Sequence, residues 1–143
     1  MTVVDALQGA LATEHAVIWG YGVVGADVAA DRKSQVAAAE EQHRLRRDEA
    51  AATLRTLGVQ PVVAQPSYRL PTAVDDPVSA LTAAALMEDS DAAAWRFVLG
   101  STDDPTLRTS ALDALVGAAV QAVRWRTVAG ISPATTAFPG QPR

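Results

Sequence analysis

The sequence predicts an all-α fold, a four-helix bundle made of two antiparallel hairpins joined by a long crossover between the second and third helices. Three observations carry this. Four long segments repeat apolar residues at heptad-like spacing. The strongest punctuation, Gly58, Asp76-Pro77, Gly100, Asp104-Pro105 and Gly130, falls between those segments. Thirty of the 143 residues are alanine, the best helix former, while strand formers are sparse.

The first helix is expected over about 3–24, with Val4, Leu7, Leu11, Ile18 and Tyr21 on one stripe and Gly22 and Gly25 near its end. After a short turn the second runs over about 28–57. It carries Val36, Leu54 and Leu57 on its stripe and stops at Gly58, a residue suited to a left-handed terminus. The third, 77–99, opens with Asp76 as N-cap and Pro77 in the first turn, turns Val78, Leu81, Ala85, Trp95 and Leu99 inward, and closes at Gly100. The fourth, 105–129, repeats the device with Asp104 and Pro105 and ends at Gly130; its expected stripe is Leu112, Leu115, Val116, Ala119, Val120 and Val123. Residues 1–130 thus form the bundle. The crossover, 58–76, holds Val62, Val63, Tyr68 and Leu70, more apolar than a free linker, and is expected to pack along the outside of the bundle. The proline-rich tail, 131–143, offers Phe138 as an anchor.

Bulk properties exclude several classes of function. A net charge of −4 and a pI near 5.0 leave no footprint for nucleic acid or an anionic membrane. The absence of cysteine excludes disulfides, thiolate metal sites and cysteine nucleophiles. No apolar run approaches the roughly 20 residues that span a bilayer. The start, MTVVDALQGALATEH, lacks the basic head and apolar run of a secretory signal, so a cytoplasmic protein is expected. No serine triad, P-loop or GxGxxG is present, and no catalytic residue is assigned.

Chemistry is expected where charged residues interrupt the apolar stripes. Steps of three and four residues give Val4, Leu7, Leu11, Glu14, Ile18, Tyr21 on the first helix and Val78, Leu81, Ala85, Glu88, Ala92, Trp95 on the third. On the second helix the series Val36, Glu40, His43, Arg47, Ala50, Leu54 places Glu40 and His43 three apart, close enough to reach one ion. Glu14 precedes a turn centred near Val28 by fourteen residues, and Glu40 and His43 follow it by twelve and fifteen, so all lie roughly 20 Å along the bundle. Glu88 lies fourteen residues before a turn centred on Thr102, at the same level. His15 points about 100° away from Glu14 and is expected at the surface or an interface. Trp19, Trp95 and Trp125 are expected to pack, and Arg47 or Arg124 could pair with the carboxylates.

Glu14, the string Glu40-Glu41-Gln42-His43, Glu88 and the long crossover together resemble the ferritin-like superfamily. Within it, ALATEHAVIWGYGVVGA, EEQHRLRRD, LMEDSDAAAWRFVL and AVRWR are similar to a small ferritin-like domain of unknown function from high-GC bacteria, over about Val3 to Arg126 and the FPG of the tail. The superfamily's di-metal site takes a Glu from each of two helices and a Glu-x-x-His from each of the other two. The resemblance therefore implies metal ligands at Glu14, Glu40, His43 and Glu88. The fourth helix departs from the pattern: ALVGAAVQAVRWR offers only Gln121 with Arg124, off the level of the other ligands. A single Fe, Mn or Zn ion is expected rather than a pair. Two functional readings follow. One is a metal-binding bundle whose enzymatic form would act on dioxygen, peroxide or a small substrate, with Gly117 leaving room beside the ion. The other is a non-catalytic homodimeric interaction module in which the polar layer serves only for register.

Overall fold

A computed structural model describes residues 1–142. Four helices account for the bundle: α1 (Val3–Asp27), α2 (Lys33–Thr56), α3 (Pro77–Gly100) and α4 (Pro105–Ala129). Their starts follow from side-chain caps. Thr2 accepts from the Asp5 amide while Asp5 accepts from the Thr2 amide, and Asp76 and Ser79 repeat that reciprocal box at α3. Asp104 accepts from the Leu107 amide at α4. Gly58 and Gly130 adopt φ of 74° and 72°, which lets Val59 and Ile131 turn back to the carbonyls of Leu54 and Arg126 at 2.9 Å. The α1–α2 turn differs from expectation. Gly22 and Gly25 do not stop α1, which continues to Asp27, and a 3₁₀ turn at Ala30–Arg32 delays α2 to Lys33.

Within this ferritin-like four-helix bundle α1 packs on α2, and α3 packs on both α4 and α1, whereas the backbones of α2 and α4 stand further apart and meet through side chains such as Ser110 on Glu49 at 2.8 Å. A groove therefore runs between α2 and α4. The core divides into two apolar clusters, one around Tyr21, Val36, Leu81 and Trp125, the other around Leu7, Leu11, Leu54, Trp95 and Val98.

Half of the expected stripe of α4 turns outward, while Leu115 still packs against the core. Ala111, Ala114, Ala118, Ala122 and Trp125 face the core, and Leu112, Val116 and Val120 are 47%, 49% and 45% exposed. The alanine face lets α4 lie close to α3, and that close approach turns the larger aliphatic side chains outward. Val78 and Leu57, also expected inside, are exposed as well.

The crossover lies along α1. Gln8 donates to the Gln60 carbonyl and accepts from the Val62 amide, both at 2.8 Å; His15 Nε2 meets the Val62 carbonyl at 3.1 Å. Trp19 packs against Tyr68, and Leu70 and Val74 reach the cluster around Tyr21 and Trp125, while Val63 stays exposed. Gly20 permits this seat, since a Cβ there would meet the Met87 sulfur and the Leu70 side chain. Phe138 is not an anchor, at 70% exposed. Arg126 holds the tail instead, pairing with Asp89 and donating to the Ala134 carbonyl, and Gly140 (φ 79°) sits against the Ala92 carbonyl, where a Cβ would not fit.

Candidate metal centre

Between the two apolar clusters lies a layer of buried polar side chains: Glu14 from α1, His43 from α2, and Glu88 and Asp91 from α3. His43 is its hub. Nδ1 lies 2.7 Å from Glu14 Oε2 and 3.8 Å from Asp91 Oδ2, and Nε2 lies 3.0 Å from Glu88 Oε1. Aromatic donors complete the layer. Trp95 Nε1 donates to the other oxygen of Glu14 at 2.7 Å, the Tyr21 hydroxyl donates to Glu88 Oε1, and Trp125 Nε1 donates to the Tyr21 oxygen at 2.7 Å. Arg46 Nη1 reaches Asp91 Oδ2 at 3.3 Å, with Gly117 of α4 opposite, where a Cβ would collide with the guanidinium.

The structure brings Glu14, His43 and Glu88 together, as their spacing predicts, and does not bring Glu40 with them. Glu40 sits at the edge of α2, partly exposed and paired with Arg44 at 2.7 Å. The inward face of α2 steps from Val36 to Ala39, His43, Arg46 and Ala50, one residue out of phase with Glu40 and Arg47. Arg47 correspondingly pairs with Asp48 at 2.9 Å. Sequence reasoning missed Asp91, although it stands three residues after Glu88, at the same i, i+3 spacing as the Glu40 and His43 pair expected on α2. Trp95, Trp125 and Tyr21 do more than pack, since each spends its polar atom on the layer.

Electrostatics shift three groups of the layer, His43, Asp91 and Tyr21. Burial alone would depress His43, but the hydrogen bonds to Glu14 and Glu88 and the charges of Glu88 and Asp91 outweigh it and hold the imidazolium at about 10. Burial pushes the Asp91 carboxyl well above the usual range, reinforced by Glu14 and Glu88 and opposed by His43 and Arg46. Tyr21 is likewise raised, by burial first and then by Glu88. One imidazole and one guanidinium thus face three buried acidic side chains, Glu14, Glu88 and Asp91, each within ion-pair distance of a basic partner.

Glu88 Oε2 and Asp91 Oδ1 are buried without a hydrogen-bond partner among the described residues, an arrangement that calls for a proton, a water or a cation. Glu14, His43 and Asp91 each offer a ligand atom, all within 4.8 Å of one another. One ion fits this donor set. Two do not, because the core-facing residues of α4 are alanines, Trp125 and Arg126, none of which can ligate. The groove between α2 and α4, about 880 Å³, reaches the layer at His43 and Glu88.

Fold and site together define a ferritin-like four-helix bundle with a buried cluster of Glu, His and Asp side chains at its centre. The chain belongs to the family described as a domain of unknown function (DUF4439), which matches residues 6–143. It is 41% identical to a conserved hypothetical protein from Mycobacterium tuberculosis, with a TM-score of 0.86 over 94% of this chain and 95% of that one. That relative agrees with the high-GC bacterial origin the motifs imply. The bundle is also similar to a dodecameric thioferritin from Bacteroides fragilis (22% identity, TM-score 0.73, 87% of this chain and 82% of that one). A ferritin-like, diiron-carboxylate protein from Bacillus anthracis matches at 15% identity and a TM-score of 0.75, over 89% of this chain and 94% of that one. No curated protein matches the sequence.

Proposed function

We propose that this protein binds one divalent transition-metal ion, Fe, Mn or Zn, through Glu14, His43 Nδ1 and Asp91. The observation that supports the reading best is the convergence of three buried ligand atoms within 4.8 Å, with orphaned carboxylate oxygens beside them. Glu88, expected as a ligand, becomes the carboxylate that accepts from His43 Nε2, with Tyr21 and Trp125 behind it; such a partner fixes the tautomer that leaves Nδ1 free for a metal. Trp95 plays the same part for Glu14. Bound there, the ion would supply Lewis-acid or one-electron chemistry to a molecule entering from the groove.

The test is metal content by mass spectrometry on untagged protein challenged with Fe(II), Mn(II) or Zn(II). One ion per chain is expected, lost in His43→Gln and Asp91→Asn and retained in Glu40→Gln. Binding releases the proton that His43 shares with Glu14, and any proton on Asp91, so affinity rises by at least about tenfold per pH unit below the His43 pKa. No ion at any challenge, or an ion that survives both substitutions, overturns the assignment.

The second reading, a non-catalytic homodimer, draws on a different observation. Pairs within the layer hold His43 between Glu14 and Glu88 and Arg46 against Asp91 without a metal, and Leu112 and Val116 leave an apolar face on α4. Sedimentation of the wild type against Val116→Lys separates the readings, since a dimer built on that face dissociates whatever the metal content.

A further inference from the structure

The groove between α2 and α4 has a chemistry of its own. Its walls are Ala38 on α2 and Val120, Val123 and Val128 on α4, with Trp125 at the base. At about 880 Å³ it falls within the range of small-molecule sites. Its charges are one-sided. Arg46 and Arg124 both line it, and the only acid among the described residues on its wall, Glu88, is buried and already accepts from His43 and Tyr21. This positive groove stands in a chain of net charge −4, so it is not the overflow of a basic surface.

Arg46 is the unusual element. It is mostly buried, spends one N–H on Asp91, and meets no other acceptor among the described residues. Its guanidinium projects across the groove to the one point on α4 where a glycine leaves it space. A planar fork with unspent donors, set beside an apolar wall, matches a carboxylate on an apolar body.

From this geometry we infer that the α2–α4 groove binds a small organic carboxylate, its acid group on Arg46 with Arg124 at the rim and its apolar part along Val120, Val123 and Val128. This extends the metal reading by naming the class of molecule that would approach the ion, but binding does not require the ion. Metal-free protein is therefore the sample, and failure here leaves the metal assignment standing.

Calorimetric titration of metal-free protein with octanoate, octanol and octylamine tests the inference. Octanoate is expected to bind most tightly, by about tenfold or more over the neutral and cationic analogues, the worth of one charge-assisted pair. Arg46→Gln removes that preference. Because Arg46 also touches Asp91, a second variant guards against misfolding: Ala38→Trp, at an exposed position on the wall, should abolish binding while the far-ultraviolet circular dichroism and melting temperature stay unchanged. Equal affinity for the three probes, or no binding at all, overturns the proposal. Self-association of the wild type that Ala38→Trp disperses, with no octanoate binding, overturns it in favour of a second copy as the occupant.

Discussion

His43 donates to two carboxylates from different helices and lies in reach of a third, and that single residue decides how the interior responds to pH. Its pKa is raised in the fold from 6.5 to about 10. The stability this contributes is complete below pH 6.5, the unfolded value, and is lost as pH rises toward 10; the shift corresponds to on the order of 5 kcal/mol. Asp91, also raised, acts in the same direction from a lower starting pH. Metal-free protein should accordingly show a falling denaturation midpoint between pH 6.5 and 10, and His43→Gln should flatten that slope. A midpoint that holds steady over this range in the wild type would show that the imidazolium is not what the layer prefers. At this scale three of the four expected residues were legible, because Glu14, His43 and Glu88 break apolar runs at positions where either choice of step leads inward. Glu40 misled because a step of four from Val36 lands on it and a step of three lands on Ala39, a residue with no polar signal to set the phase. One residue on a helix is about 100°, enough to exchange an ion-pairing surface glutamate for a core position. The same ambiguity hid Arg46 behind Arg47 and Asp91 behind Ala92.

Helix α4 shows what close packing demands of an element. Its core face is alanine at 111, 114, 118 and 122, so its backbone comes near α3 and there is no room for Leu112, Val116 and Val120, which the sequence pattern would place inside. Hydrophobicity ranks valine and leucine above alanine, and for that reason a pattern reading turns this helix the wrong way; size, not polarity, decides. The four starts and ends were legible because caps act locally, through Asp76, Asp104, Gly58 and Gly130. The α1–α2 turn was less so, since Gly22 and Gly25 tolerate helix as readily as they end it. Ala118→Leu should overpack the α3–α4 contact and cost about 1–3 kcal/mol, whereas Val116→Ser on the outer face should stay within about 0.5 kcal/mol. Chemical denaturation compares the two. Equal effects would show that Ala118 does not face α3.

Across the whole molecule the polar layer is divided between the two hairpins. Glu14, His43 and Tyr21 come from one, and Glu88, Asp91, Trp95 and Trp125 from the other. Docking one hairpin on the other is therefore what satisfies these groups, and the strap from Val59 to Val74 that lies along α1 governs how often the halves meet. A tether of this length holds its ends at an effective concentration of about millimolar order, so the uncut chain assembles its site independently of protein concentration. Nicking the intact protein within the exposed stretch from Val63 to Ser67 should leave two pieces that stay together at high concentration and separate on dilution, sooner in His43→Gln than in the wild type. Pieces that separate equally readily in both would assign hairpin docking to the apolar clusters alone. The crossover thus acts as a concentration device: it presents each half-site to the other as though the solution were crowded with it.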